Sequence, residues 1–171
     1  MNDASLILES AARLSALLLF VALGELLAER AGILNISVEG MMLGGAFAAI
    51  YAASETGFPV VGLVAGVGAG ALIALIHAQL SHRITINQLI VGFTLNLLVL
   101  GTTSFLAASV KLGHERVGVL RIPLLADIPL AGRALFEQRW PYFLIYGAIP
   151  LTWWLLMRTR WGLELRACGE N

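Results

Sequence analysis

Asn35, Ser37 and Glu39 alternate with apolar residues in the segment 32–40, Gly-Ile-Leu-Asn-Ile-Ser-Val-Glu-Gly, which a glycine bounds at each end. Asn87 and Gln88 follow Ile84-Thr85-Ile86, and Asn96 lies further along the same apolar run. Amides, hydroxyls and carboxylates inside apolar runs are expensive in a membrane, so each is by default a candidate for contact with a polar solute or ion. The competing reading is structural: the same groups can hydrogen-bond between helices, worth only about 0.6 kcal/mol per pair on average in lipid. Alternation of polar and apolar residues is also a poor helix pattern. Backbone that leaves the helix at membrane depth must be buried in protein or line a wet cavity. Both clusters share an Asn followed five residues later by Gly, Asn35 with Gly40 and Asn87 with Gly92, and interrupted helices in matching positions point to a solute path.

Other chemistries find no support in the residues. Glu9 and Arg13 stand at i and i+4, a spacing that lets them pair on one helix face, while Glu25 lies a turn from the end of its apolar run. The three histidines, His77, His82 and His114, have neither metal-ligand spacing nor a carboxylate motif. The single cysteine, Cys168, excludes an internal disulfide framework. There is no Gly-x-x-x-x-Gly-Lys-Ser/Thr loop for a nucleotide, and no nucleophile, base and metal set converges as an intramembrane enzyme requires. Eleven basic residues balance eleven acidic ones, so no basic footprint suggests nucleic acid.

The elements that must position these residues are membrane helices. The 171 residues are 58% hydrophobic and 13% charged, with a mean hydropathy of +0.84, against about 25% charged residues in a soluble domain. A span needs about 20 mostly apolar residues, and runs of that kind occur at about 6–28, 33–53, 58–80, 84–108 and, shorter, 141–157. The N-terminus lacks the basic region of a signal peptide and reads as a retained span. The fold class is therefore all-α, a polytopic transmembrane bundle of about five spans in one domain, in which Ile33 to Gly40 is either an interrupted or re-entrant turn or the start of a continuous second helix. A loop occupies 111–139, and a short basic tail follows Arg158. In the third span Gly62, Gly66, Gly70, Ala74 and Ala78 recur at four-residue spacing, a ridge for close helix packing. Lys and Arg nearly tie between the two sides. Placing the short turns and the tail inside leaves the N-terminus and the loop 111–139 outside.

Three stretches together resemble the integral-membrane permease of bacterial ABC importers for simple sugars, nucleosides and branched-chain amino acids. The first, 29–42, runs Glu-Arg-Ala-Gly-Ile-Leu-Asn-Ile-Ser-Val-Glu-Gly-Met-Met. The second is Ile128-Pro129-Leu130 with Gly132, Leu135 and Phe136, nearest the nucleoside or simple-sugar subgroup. The third, 159–171, runs Thr-Arg-Trp-Gly-Leu-Glu-Leu-Arg-Ala-Cys-Gly-Glu-Asn and is similar to the family's cytoplasmic coupling loop.

The resemblance implies a translocation subunit of the bacterial inner membrane that is not itself an enzyme and holds no cofactor. A separate ABC ATPase would bind ATP and grip Gly162, Leu163, Arg166, Ala167, Gly169 and Glu170. An extracytoplasmic solute-binding lipoprotein would dock outside, a second permease, identical or homologous, would pair with the chain, and a nucleoside or simple sugar would cross. The sequence stops at Asn171 inside the coupling motif, which implies a partial version unable to transport alone. The rival reading is an ion-gradient-driven secondary transporter or channel, for which Glu39 is the one fair carboxylate.

Overall fold

The computed structural model describes residues 3–110, 113, 119–121 and 136–169. They fall into two compact units, one of Ile33–Arg116 and one of Met1–Gly32 with Val117–Asn171. Most of the loop 111–139, including Ile128, Pro129, Leu130, Gly132 and Leu135, lies outside the described residues, as does Glu170.

The unit Ile33–Arg116 holds α2 (Val38–Thr56), α3 (Pro59–Ala78), which runs on into a π-helical turn Gln79–Arg83, and α4 (Gln88–Ser109). Their boundaries follow from local chemistry. Helix α2 begins at Val38, not Ile33, because the alternating segment before it folds into a turn in which Ser37 Oγ donates to Asn35 Oδ1 at 2.9 Å. It ends where Gly57 takes a left-handed φ of 72° and returns its N–H to Ala53 O at 2.8 Å, an arrangement that satisfies a terminal carbonyl. Pro59 then opens α3 at the position where its missing N–H costs nothing. Helix α4 starts at Gln88 rather than Ile84, since Thr85 turns the chain at φ 58° and Asn87 caps the helix, its Oδ1 accepting from Leu89 N–H at 2.9 Å.

Helices α2 and α3 approach closely along their glycines. A Cβ at Gly66 would stand 2.8 Å from Gly45 O, one at Gly62 2.5 Å from Ala49 O, and one at Gly70 3.7 Å from Met41 O. Ala74, next on that ridge, is half-buried. The contact tightens toward Gly62, where only hydrogen fits between the backbones. Gly62→Val should therefore destabilise the protein by about 1–3 kcal/mol through overpacking, read as a lower unfolding temperature in detergent. Gly68→Ala, with nothing within 4 Å of the added carbon, should leave it unchanged.

The other unit holds α1 (Asp3–Arg30), the strands β1 (Val119–Arg121) and β2 (Glu137–Arg139), a 3₁₀ turn Trp140–Phe143, α5 (Leu144–Arg158) and α6 (Arg160–Gly169). The strands pair antiparallel, Val119 opposite Arg139 and Arg121 opposite Glu137. Arg13 forms the ion pair with Glu9 and also donates from Nε to Gln138 Oε1 at 3.2 Å, so α1 is tied to β2. Phe136 and Phe143 pack their rings on Tyr146 with centroids 6.5 and 6.1 Å away, which holds the start of α5.

Among the described residues three helical stretches are long and apolar enough to cross a membrane: Ile7–Arg30, Pro59–Arg83 and Gln88–Ser109. Helix α2 has 19 residues but carries Glu39 and Glu55 near its ends and three glycines between. Helix α5 has 15 residues, with Pro150 inside it, and at 1.5 Å per residue covers about 22 Å. The 3₁₀ turn Trp140–Phe143 lengthens that segment only on its N-terminal side.

Candidate functional site

The polar residues of the 33–40 segment and of α4 come together within the unit Ile33–Arg116. Asn96, two helical turns into α4, does most of the joining. Its Oδ1 accepts from Gly40 N–H at 2.7 Å and its Nδ2 donates to Ile36 O at 2.9 Å. Gln88 Oε1 accepts from Leu34 N–H at 2.7 Å. Asn35 also reaches Met41, Nδ2 to Sδ at 3.7 Å, and Ser37 is fully buried. Backbone groups that a continuous helix would have satisfied are thus met by amide side chains of α4, as buried backbone polar groups require.

The two Asn-to-Gly spacings meet in the same contact. A Cβ at Gly92 would lie 2.6 Å from Ile36 Cβ, and one at Gly40 2.9 Å from Asn96 Oδ1. Each glycine makes room for the opposite segment, and Val91 and Leu95 are buried beside them. Of the residues singled out from the sequence, Asn35, Ser37, Gln88 and Asn96 spend hydrogen bonds on this latch. Asn87 caps α4, and Glu39 is exposed in the first turn of α2.

The second candidate region is the tail. Residues 160–169 form a helix, α6, and glycines seat it at both ends. Thr159 shapes the joint with α5: its Oγ1 donates to Leu155 O at 2.6 Å and accepts from Gly162 N–H at 3.1 Å. Gly162 is buried, and a Cβ there would strike Leu155 O and lie 2.5 Å from Leu156 O. At the other end a Cβ on Gly169 would lie 2.5 Å from Arg30 O and 2.9 Å from Gly32 N. The end of α6 therefore rests on the end of α1, where Gly32 turns the chain at φ 76°.

Leu163 and Ala167 are exposed on α6, while Arg166 is half-buried and donates from Nε to Gly162 O at 3.2 Å. The contact between Gly32 and Gly169 went unread in the sequence; its one available signal was a glycine at the C-terminal end of each helix, a common helix stop. Among the described residues no group of His, Cys, Asp and Glu could hold a metal ion.

Relatives with known names share this chain's pattern. It is 35% identical over 176 residues to the putative glucose ABC transporter permease protein TsgC13 of Haloferax volcanii, covering 100% of this chain and 54% of that protein. It is 34% identical over 169 residues to the guanosine ABC transporter permease protein NupQ of Bacillus subtilis, covering 90% of this chain and 52% of that protein. With the nucleoside ABC transporter permease protein NupC of Lactococcus lactis subsp. cremoris it shares 32% identity over 167 residues, again 90% and 52%. The chain spans about half the length of these curated relatives. No solved structure matches it. Its apolar helices and its permease relatives make it an integral protein of the cell (inner) membrane. The pattern of one family, described as branched-chain amino acid transport system / permease component, matches residues 7–171, and the chain belongs to that family.

Proposed function

We propose that the chain serves in the translocation subunit of an ATP-binding-cassette importer that moves a nucleoside or simple sugar inward. The observation that carries this reading is α6, a charged helix seated by Gly162 and Gly169 with Leu163 and Ala167 facing outward. A helix held at both ends on packed backbone is suited to pass a push from a partner into the spans, since coupling needs a contiguous, bistable element. A separate ABC ATPase grips α6 and the residues after it, Glu170 included, and carries out ATP hydrolysis. In this reading Gly162, Gly169 and Arg166 hold the helix, and Leu163 and Ala167 make the contact; the seat at Gly162 and Gly169 and the exposure of Leu163 and Ala167 support it.

In this reading α2 and α5 complete five crossings, with the N-terminus and the loop 111–139 outside and α6 inside. A solute-binding lipoprotein docks on the outer loop, and a second permease, identical or homologous, completes the pathway. The latched turn 33–37 with Asn35, Ser37, Gln88 and Asn96 forms the wall of the solute path, while Asn87 and the exposed Glu39 stand at its edge. The relatives' names, which include glucose, guanosine and nucleoside, support this substrate class.

Uptake of labelled guanosine and of labelled glucose by the full-length permease, reconstituted with its ATPase and lipoprotein, tests the reading. Uptake of one of them should require ATP and stop with vanadate. Uptake that ignores vanadate and collapses with a protonophore would assign the protein to ion-gradient-driven transport instead.

A further inference from the structure

Between α1, α5 and α6, inside one compact unit, lies a cavity of about 200 Å³. Leu23, Leu26, Trp153 and Met157 supply apolar wall, and Arg30 and Arg166 line the same cavity. Among the described residues no carboxylate lines it. Among the described residues neither guanidinium forms an ion pair. Arg158 adds a third cation nearby, its guanidinium carbon 6.0 Å from the centre of the Trp153 ring.

The cavity's position gives these charges meaning. Arg30 ends α1, a helix long and apolar enough to span, and Arg158 ends α5. Trp and Arg side by side at helix ends mark the level of the lipid headgroups. An apolar slot under guanidiniums with no ion pair among the described residues matches a molecule with an anionic head and a hydrocarbon tail. Basic pockets between membrane helices bind such headgroups, and arginine suits phosphate because it presents a planar fork of donors.

The geometry points to a site for one anionic phospholipid, its phosphate held by Arg30 and Arg166 and part of an acyl chain lying along Leu26, Trp153 and Met157. The site sits between the seat of α6 and the end of α1, so an occupying lipid props the two together. It requires that α1 lie in a membrane but does not require that the transporter use ATP or carry a nucleoside.

The test uses the full-length permease in vesicles, with every tryptophan except Trp153 replaced by phenylalanine. Brominated phosphatidylglycerol or brominated phosphatidylcholine is titrated against Trp153 fluorescence. Phosphatidylglycerol should quench at a mole fraction roughly tenfold or more lower than phosphatidylcholine, since each basic residue at the surface contributes a several-fold preference for anionic lipid. Arg30→Gln with Arg166→Gln should abolish the preference, and Arg30→Lys with Arg166→Lys should retain most of it. Equal quenching by the two lipids in the parent protein overturns the proposal, without reliance on any arginine variant. So does a preference that survives the double glutamine variant, or a Trp153 that neither lipid quenches. Loss of the preference on adding millimolar inorganic phosphate at constant ionic strength would reassign the site to a free anion and also overturn it.

Discussion

Replacing Asn96 with leucine should disable the protein more than any other single change to its polar residues. The substitution removes an acceptor from Gly40 N–H and a donor from Ile36 O together, two groups at i and i−4 that the amide bridges and that could meet only if the turn before α2 rewound into helix. Each buried polar group left unsatisfied costs roughly 1–3 kcal/mol, and the branched side chain must also fit where a Cβ on Gly40 would stand 2.9 Å away from the amide oxygen. The expected result is a loss of about 2–6 kcal/mol of stability, seen as a lower unfolding temperature and faster proteolysis in the 33–40 segment. In the full-length system uptake should fall below detection while some protein still inserts. Thr94→Ala, which removes only a hydroxyl bonded back to Ile90 O of its own helix, should change neither measurement. Unchanged stability in Asn96→Leu would mean that the latch contributes nothing and that the turn before α2 is held by other means.

The second large effect is expected on α6. Gly162→Val forces a branched carbon against the carbonyls of Leu155 and Leu156, backbone atoms that cannot move aside as a side chain would. The helix must lift from α5, so under the proposed function the full-length permease should lose the proposed ATPase partner during co-purification by about tenfold or more, the equivalent of 1.4 kcal/mol in binding. Leu163→Glu leaves the seat intact and changes only an exposed apolar residue, and should weaken the same association by burying an unpaired charge at the interface. The pair of variants separates two roles. Gly162→Val should also expose the α5–α6 joint to proteolysis, whereas Leu163→Glu should not. Normal ATPase recovery with Leu163→Glu would place the partner's contact elsewhere than on the outward face of α6.

Particular residues show how far the sequence could be read. Hydropathy located α1, α3 and α4, because their lipid-compatible runs exceed the length a span requires. The alternation at Asn35, Ser37 and Glu39 marked a break before α2, and helix does begin only at Val38. Yet the same sequence left open whether the amides of this region serve a solute or the fold. Asn96 shows why: a lone amide in an apolar helix looks the same whether it faces a solute or a backbone 56 residues away. The apolar run starts α4 four residues early, because Ile84 to Asn87 is apolar enough to pass for helix, while Thr85 and the Asn87 cap decide otherwise.

By itself the sequence determined that the chain lives in a membrane, that its family is a permease family, and that a charged tail follows its last apolar run. These are matters of composition, length and local motif, which each stretch carries within itself. Tertiary structure alone decided that Asn96 and Gln88 clamp the turn before α2, that Gly169 seats α6 on Arg30, and that Arg30 and Arg166 line one cavity. Such contacts join residues dozens of positions apart, and a hydrogen bond or a backbone approach exists only once packing has set both partners at the right distance.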